Sequence, residues 1–135
     1  MTAEYDLAGK IIGMAMKVHT TLGAGFLESV YHKALAHELK KADVQFESEK
    51  PLNVFYDGIL VGDFMADFLV EKEVIVELKA VQTLASVHEV QTVNYLVATG
   101  IDVGLLLNFG SEWLDYKKKF RLPKAKRQND FRQND

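Results

Sequence analysis

The chain has 135 residues, 48% of them apolar and 26% charged, which is the size and composition of a single globular domain with a sizeable core. It contains no cysteine, so disulfides and thiolate metal sites are excluded. No apolar run approaches the roughly 18 residues of a membrane span, and the start MTAEYDLAGK lacks a signal-peptide pattern, so a cytoplasmic protein without membrane contact is expected. The net charge of −3 is unevenly spread: residues 1–115 are acidic and residues 116–135 are strongly basic. Such a tail suits contact with phosphate or simple solvation equally well.

Leu7, Ile11, Met14, Ala15 and Val18 recur at helical spacing and predict a first helix over residues 5–19. His19 at its end reads as a histidine favoured by the helix dipole rather than as a ligand. Gly23 and Gly25 permit a tight break. A second helix is predicted from about Gly25 to Lys41, with Leu27, Val30, Tyr31, Ala34, Leu35 and Leu39 as its stripe. Glu28 falls in the first turn, where the dipole suits a carboxylate. Tyr31, three residues on, occupies a neighbouring part of the surface.

Val44–Glu49 predicts a short strand that Pro51 ends or places at a sheet edge. Leu52–Tyr56 and Ile59–Val70 read as hairpin strands about Asp57-Gly58, with a bend at Gly62-Asp63. A third strand follows the charged turn Glu71-Lys72-Glu73. Ser86 and Glu89 form an S-x-x-E capping box that opens a helix near Val87. That helix ends at Gly100 and is expected to pack through Val87, Val90, Val93, Leu96 and Val97. His88 reads as a polar residue of the capped first turn, and His88, Gln91 and Tyr95 share another stripe. Asp102–Phe109 is a continuous apolar run typical of a strand buried on both faces. Trp113–Leu122 reads as a last strand or an irregular arm. The order predicts an α/β fold with a mixed sheet and helices on both faces. Residues 1–122 are expected to form one domain and residues 123–135 a flexible basic tail, and the terminal RQND repeat reads as low-complexity sequence.

The chemistry concentrates in residues 63–80. With the turn centred on Lys72, Asp67 faces Glu77, their Cβ atoms roughly 4.5–5.5 Å apart. Glu77 and Lys79 point to one face. Opposed carboxylates are destabilising unless compensated. Oxygen ligands of this kind suit Mg²⁺ or Mn²⁺, with the Leu78 backbone carbonyl as a further ligand. Lys79 is placed to orient water or to stabilise charge on phosphate, which suits metal-assisted phosphodiester hydrolysis. A partly buried ion triad of Asp67, Glu77 and Lys79 accounts for the same spacing. A glycosidase pair is disfavoured by the lysine and by the absence of an aromatic-lined groove. A one-residue slip in register would separate the two acids.

Asp67 with Glu77-Leu78-Lys79 resembles the D…(D/E)-x-K pattern of the PD-(D/E)XK nuclease superfamily. The predicted αβββαβ order resembles that superfamily's restriction-endonuclease-like core. Gln91-x-x-x-Tyr95 is similar to the QxxxY motif of its RecB-like and Cas4-like branch. Gly25-Phe-Leu-Glu28-Ser-Val-Tyr31 resembles the signature of the GxxExxY family, with VELKA and Asn108-Phe109-Gly110 extending the match over about residues 5–122. Ala66 stands where the superfamily name has proline. The resemblance implies a Mg²⁺- or Mn²⁺-dependent nuclease acting on nucleic acid, DNA ahead of RNA. Asp67 and Glu77 would be metal ligands, Lys79 the catalytic lysine and Glu28 an extra acid completing the metal site. Gln91, Tyr95 and Tyr31 would orient the site or contact substrate. The alternative is a non-catalytic nucleic-acid-binding or interaction module on the same scaffold. A homo-oligomer or a partner protein is a further expectation, with Lys117, Lys118, Lys119, Arg121, Lys124, Lys126 and Arg127 as contacts to phosphate or to a protein partner.

Overall fold

The computed structural model describes residues 3–121, so the expected tail, with Lys124, Lys126, Arg127 and the RQND repeat, lies outside the described residues. The elements are α1 (Ala3–Leu22), α2 (Glu28–Lys41), β1 (Phe46–Tyr56), β2 (Ile59–Val70), β3 (Val74–Lys79), α3 (Ser86–Thr99), β4 (Val103–Asn108) and β5 (Asp115–Phe120). The strands form one sheet in the order β1-β2-β3-β4-β5. Only β3 and β4 are parallel. A parallel pair needs a crossover, and α3 supplies it. The expected mixed sheet with flanking helices is therefore the architecture of the protein.

Strand alternation divides the core in two. Val74, Val76 and Leu78 pack with Ile11, Ala15, Tyr31 and Leu35 of α1 and α2. Ile75, on the other face, packs with Leu52, Leu69 and the α3 residues Tyr95 and Leu96. Strand β4 is covered on both faces, as its apolar run requires, with Leu105, Leu106 and Leu107 fully buried.

Several boundaries differ from the sequence reading. Helix α1 continues to Leu22, and α2 starts only at Glu28, with Leu27 an extended, exposed N-cap. The two short strands expected around Pro51 are one strand, β1. It is an edge strand, so the missing proline N–H interrupts no sheet interior. Asp57 and Gly58 both have positive φ (54° and 78°), the two-residue hairpin turn expected there. The bend near Gly62 is a bulge. Val54 pairs with Gly62 but Phe55 with Leu60, which leaves Val61 over.

Helix α3 presents a different face from the one expected. Leu96 is buried as expected, but Thr92 and Tyr95 are buried with it, whereas Val87, Val90 and Val97 are exposed. Gly104 explains the rotation: a Cβ there would lie 3.0 Å from Thr92 Cγ2 and 3.3 Å from Leu96, so the helix seats on the bare backbone through these two residues. The capping box is also displaced. Ala85 is the N-cap, its N–H donates to His88 Nδ1 (3.0 Å), and Glu89 pairs with Lys119 instead. Strand β5 resolves the uncertain end as a real strand, antiparallel to β4.

Candidate active site

Strands β2 and β3 pair regularly from Val70↔Val74 through Leu69↔Ile75 to Phe68↔Val76. The next step of that register sets Asp67 opposite Glu77, as expected for a turn centred on Lys72, but the backbone ladder stops there. Side chains take over. The Asp67 N–H donates to Glu77 Oε2 (3.0 Å), and the Leu78 N–H donates to Asp67 Oδ2 (2.8 Å). Each carboxylate thus stands where a ladder carbonyl would, and each acid satisfies a peptide on the other strand. The Lys79 carbonyl is taken by the Phe109 N–H (2.8 Å) on the β4 side. Peptide direction alternates along a strand, so the Leu78 carbonyl points to the β2 side.

This arrangement places charge in a dry setting. Glu77 is 6% exposed. Burial, then the adjacent Asp67 carboxylate, pushes its pKa up to about 8. Burial likewise raises Asp67, against the pull of its Leu78 hydrogen bond. Glu28 is an exposed residue, yet partial desolvation of its carboxyl and then the Asp67 charge raise it too. Tyr95 is raised by burial and then by the Glu77 and Asp67 charges, which puts its phenol in reach of the same field. No ion pair among the described residues involves Asp67, Glu77, Glu28 or Lys79. The closed ion triad that the spacing also allowed is therefore not formed.

The donor chemistry fits a hard divalent cation. One oxygen of each acid is tied to a peptide, and no hydrogen bond among the described residues occupies Asp67 Oδ1 or Glu77 Oε1. Neither of these oxygens is sealed from solvent without a partner. Two carboxylates with water completing the shell is a common Mg²⁺ arrangement. Among the described residues no three His, Asp or Glu side chains converge into a ready cage, and Glu28 is near enough to the pair for its charge to act on Glu77.

Gln91 and Tyr95 line a largely apolar groove of about 560 Å³ between α3 and the β1–β2 hairpin. Phe64 and Tyr95 form two aromatic walls (centroids 5.7 Å apart). This corrects the expectation that an aromatic-lined groove is absent: Val87, Val90 and Val97, expected to pack inward, line it instead beside the two aromatic rings. Tyr31 is different. It is fully buried, stacks on Phe109 (4.7 Å), donates to the Gly23 carbonyl and accepts from the Phe26 N–H (3.1 Å). Its position leaves no substrate contact; it orients the loop that leads into Glu28. His19, in the last turn of α1, is buried and hydrogen-bonds the Ser111 carbonyl (2.9 Å).

Two residues have roles that the sequence reading did not assign. Asn108, the register partner of Lys79, accepts from Val81 N–H and Gly110 N–H (3.0 Å each) and so fastens the chain leaving Lys79. Gly110 lies so close to Val81 that a Cβ would meet its backbone at 2.4 Å. His32, one turn after Glu28 on α2, reaches the Asp67 carbonyl (3.3 Å). Its only sequence signal was the i+4 spacing from Glu28. Of the basic residues expected to meet phosphate, Lys119 pairs with Glu89 (2.8 Å) and Arg121 with Asp102 (2.8 Å).

The family model of the PD-(D/E)XK nuclease superfamily matches residues 5–121. The crystal structure of SSO0001 superposes with a TM-score of 0.56 at 18% identity, covering 73% of this chain and 53% of that one. The chain thus spans about half the length of SSO0001, and this likeness is one of fold. An alkaline exonuclease (LHK-Exo) from Laribacter hongkongensis aligns at a TM-score of 0.48 and 12% identity, over 97% of this chain and 77% of its own. Comparison with curated proteins returns no match.

Proposed function

The chain belongs to the PD-(D/E)XK nuclease superfamily, and from that premise we propose that it is a Mg²⁺- or Mn²⁺-dependent nuclease hydrolysing phosphodiester bonds of nucleic acid, DNA ahead of RNA. The observation that carries this reading is the broken ladder at Asp67 and Glu77, which leaves one carboxylate oxygen of each uncommitted among the described residues, beside a Lys79 that is in no ion pair among them. Asp67, Glu77 and the Leu78 carbonyl would hold the cation, with Glu28 joining at the rim. When bound, the cation supplies charge neutralisation at phosphate and an acidified water. The protein's own part is then to place that water and the phosphate. Lys79 donates hydrogen bonds to the water or to a phosphoryl oxygen and stabilises the negative charge that grows there. Gln91 and Tyr95 orient the strand along the groove they line.

Within the superfamily we place the chain with the GxxExxY proteins, on Gly25, Glu28 and Tyr31, and nearer the RecB-like and Cas4-like branch, on Gln91 and Tyr95. The cytoplasm as its place of action belongs to the same proposal; no described helix is long and apolar enough to cross a membrane. A homo-oligomer or a partner protein is a further part of the reading, carried by the large apolar side chains exposed on the β1–β2 hairpin, among them Phe55, Tyr56 and Ile59.

The test is incubation with single- and double-stranded DNA and RNA in Mg²⁺, Mn²⁺ or chelator. Metal-dependent cleavage that Asp67→Ala and Lys79→Ala each abolish supports the proposal. Binding without cleavage, insensitive to Asp67→Ala, supports the non-catalytic module instead.

A further inference from the structure

His32 performs a task that nothing in the acid–lysine pattern announces. Strand β1 pairs with β2 at Ser48↔Phe68 and at Lys50↔Ala66, so the register sets Glu49 opposite Asp67. That one pair is missing, and Glu49 has left the extended region (φ 54°). In its place His32 Nε2 lies 3.3 Å from the Asp67 carbonyl and 3.4 Å from Ser48 Oγ. A carbonyl only accepts, so Nε2 carries the proton. The imidazole is stacked on Phe68 (4.3 Å between centroids, 18° between planes), and Phe68 is fully buried. The ring plane is therefore fixed by the core. The N–H of the same residue is held by Glu77, which accepts it. The backbone of Asp67 is thus suspended between an imidazole and a carboxylate, while its neighbours on both sides stay in the sheet.

We propose that His32 is a positioning residue: by holding the Asp67 carbonyl out of the β1 ladder, it sets the direction in which the Asp67 carboxylate is presented to a divalent cation. This rests on the metal-dependent reading above. Without the imidazole N–H, the Asp67 carbonyl turns back toward the vacant place opposite Glu49. That rotation also pulls on the Asp67 N–H bond to Glu77 and on the Asp67 bond to the Leu78 N–H. Because His32 and Glu28 lie one turn apart on α2, the same contact ties the rim acid to the pair.

His32→Phe keeps a ring over Phe68 and removes the donor; His32→Gln returns an N–H without the ring. Amide hydrogen exchange is read on the metal-free full-length protein, and Mn²⁺ affinity by calorimetry. In His32→Phe the Asp67 and Leu78 amides exchange about tenfold faster or more, the Ile75 and Val76 amides are unchanged, and Mn²⁺ binds on the order of tenfold more weakly, as for lost outer-shell partners elsewhere. His32→Gln recovers most of both. Unchanged exchange in His32→Phe, or a His32→Gln protein as impaired as His32→Phe, overturns the proposal. Should His32→Phe fail to fold, nitrogen-15 spectra of the wild-type histidine decide: an Nε2–H tautomer supports the clamp and an Nδ1–H tautomer overturns it. A wild-type protein that binds no Mn²⁺ refutes the metal reading, while the exchange data still judge the clamp by themselves.

Discussion

The β2–β3 hairpin has two ends that solve opposite problems within a few residues of each other. Near the turn, Leu69, Val70, Val74 and Ile75 are buried, paired across the ladder and apolar. There burial and backbone hydrogen bonding favour the same structure. At Asp67 and Glu77 the same two strands carry buried or half-buried acids, the ladder stops, and side chains take the peptide hydrogen bonds. Desolvation raises both acids. The first end holds the fold together. The second is held in place by it, in a protonation state and geometry that water would not favour. The lesson is that the site is recognisable as a local departure from what the rest of the hairpin does, with Lys79 beside it in no ion pair among the described residues.

Substitutions at the two ends should therefore separate activity from stability. At the site end, Lys79→Ala or Asp67→Asn is expected to lower cleavage by about 10²–10³-fold or more, the scale of losing a preorganised charge or donor, with little change in folding. At the turn end, Ile75→Ala is expected to cost about 2–5 kcal/mol in urea unfolding, while cleavage per folded molecule is retained. Loss of activity from Ile75→Ala at full folding, or retained activity in Lys79→Ala, would erase the contrast.

The acids should also make the metal-free protein sensitive to pH in an unusual direction. Glu77 has a folded pKa of about 8 against an ordinary 4.5. Between those values the folded state binds more protons than the unfolded state, so stability falls as pH rises through that window and levels off above it. Asp67 and Glu28 are raised as well and add in the same sense. Chemical denaturation with chelator present should show a loss of a few kcal/mol from pH 5 to pH 8. Glu77→Gln should flatten most of it. A profile that rises over this range would contradict the assigned burial. The smallest effect expected is at the far edge: Lys119→Ala, which removes a partly exposed pair with Glu89, should cost less than about 1 kcal/mol.

Much of this was legible in the sequence because the relevant signals are local. The charged turn fixes the centre at Lys72, and that alone sets Asp67 against Glu77. The β4 run and the Asp57-Gly58 turn are equally self-contained. What was not legible depended on partners distant in the chain. The valines of α3 are apolar but lie outward, because Gly104 seats the helix on Thr92 and Leu96. The groove along Gln91 and Tyr95 follows from that rotation. Tyr31 was placed in the apolar stripe of α2, and it is buried there, but its stacking partner Phe109 lies 78 residues away in sequence. His32 and Asn108 act on peptide groups, and no side-chain pattern reveals which peptide group is left without a ladder partner.

The central claim is that the uncommitted oxygens of Asp67 and Glu77 form a cation site. A crystal structure of the protein soaked in Mn²⁺, with anomalous scattering to locate the ion, tests it most directly. The account predicts one Mn²⁺ bound by both carboxylates with the Leu78 carbonyl facing it, absent from Asp67→Ala crystals. Mn²⁺ bound elsewhere, or no ion at this position in a protein that still cleaves nucleic acid in a Mn²⁺-dependent way, would contradict it.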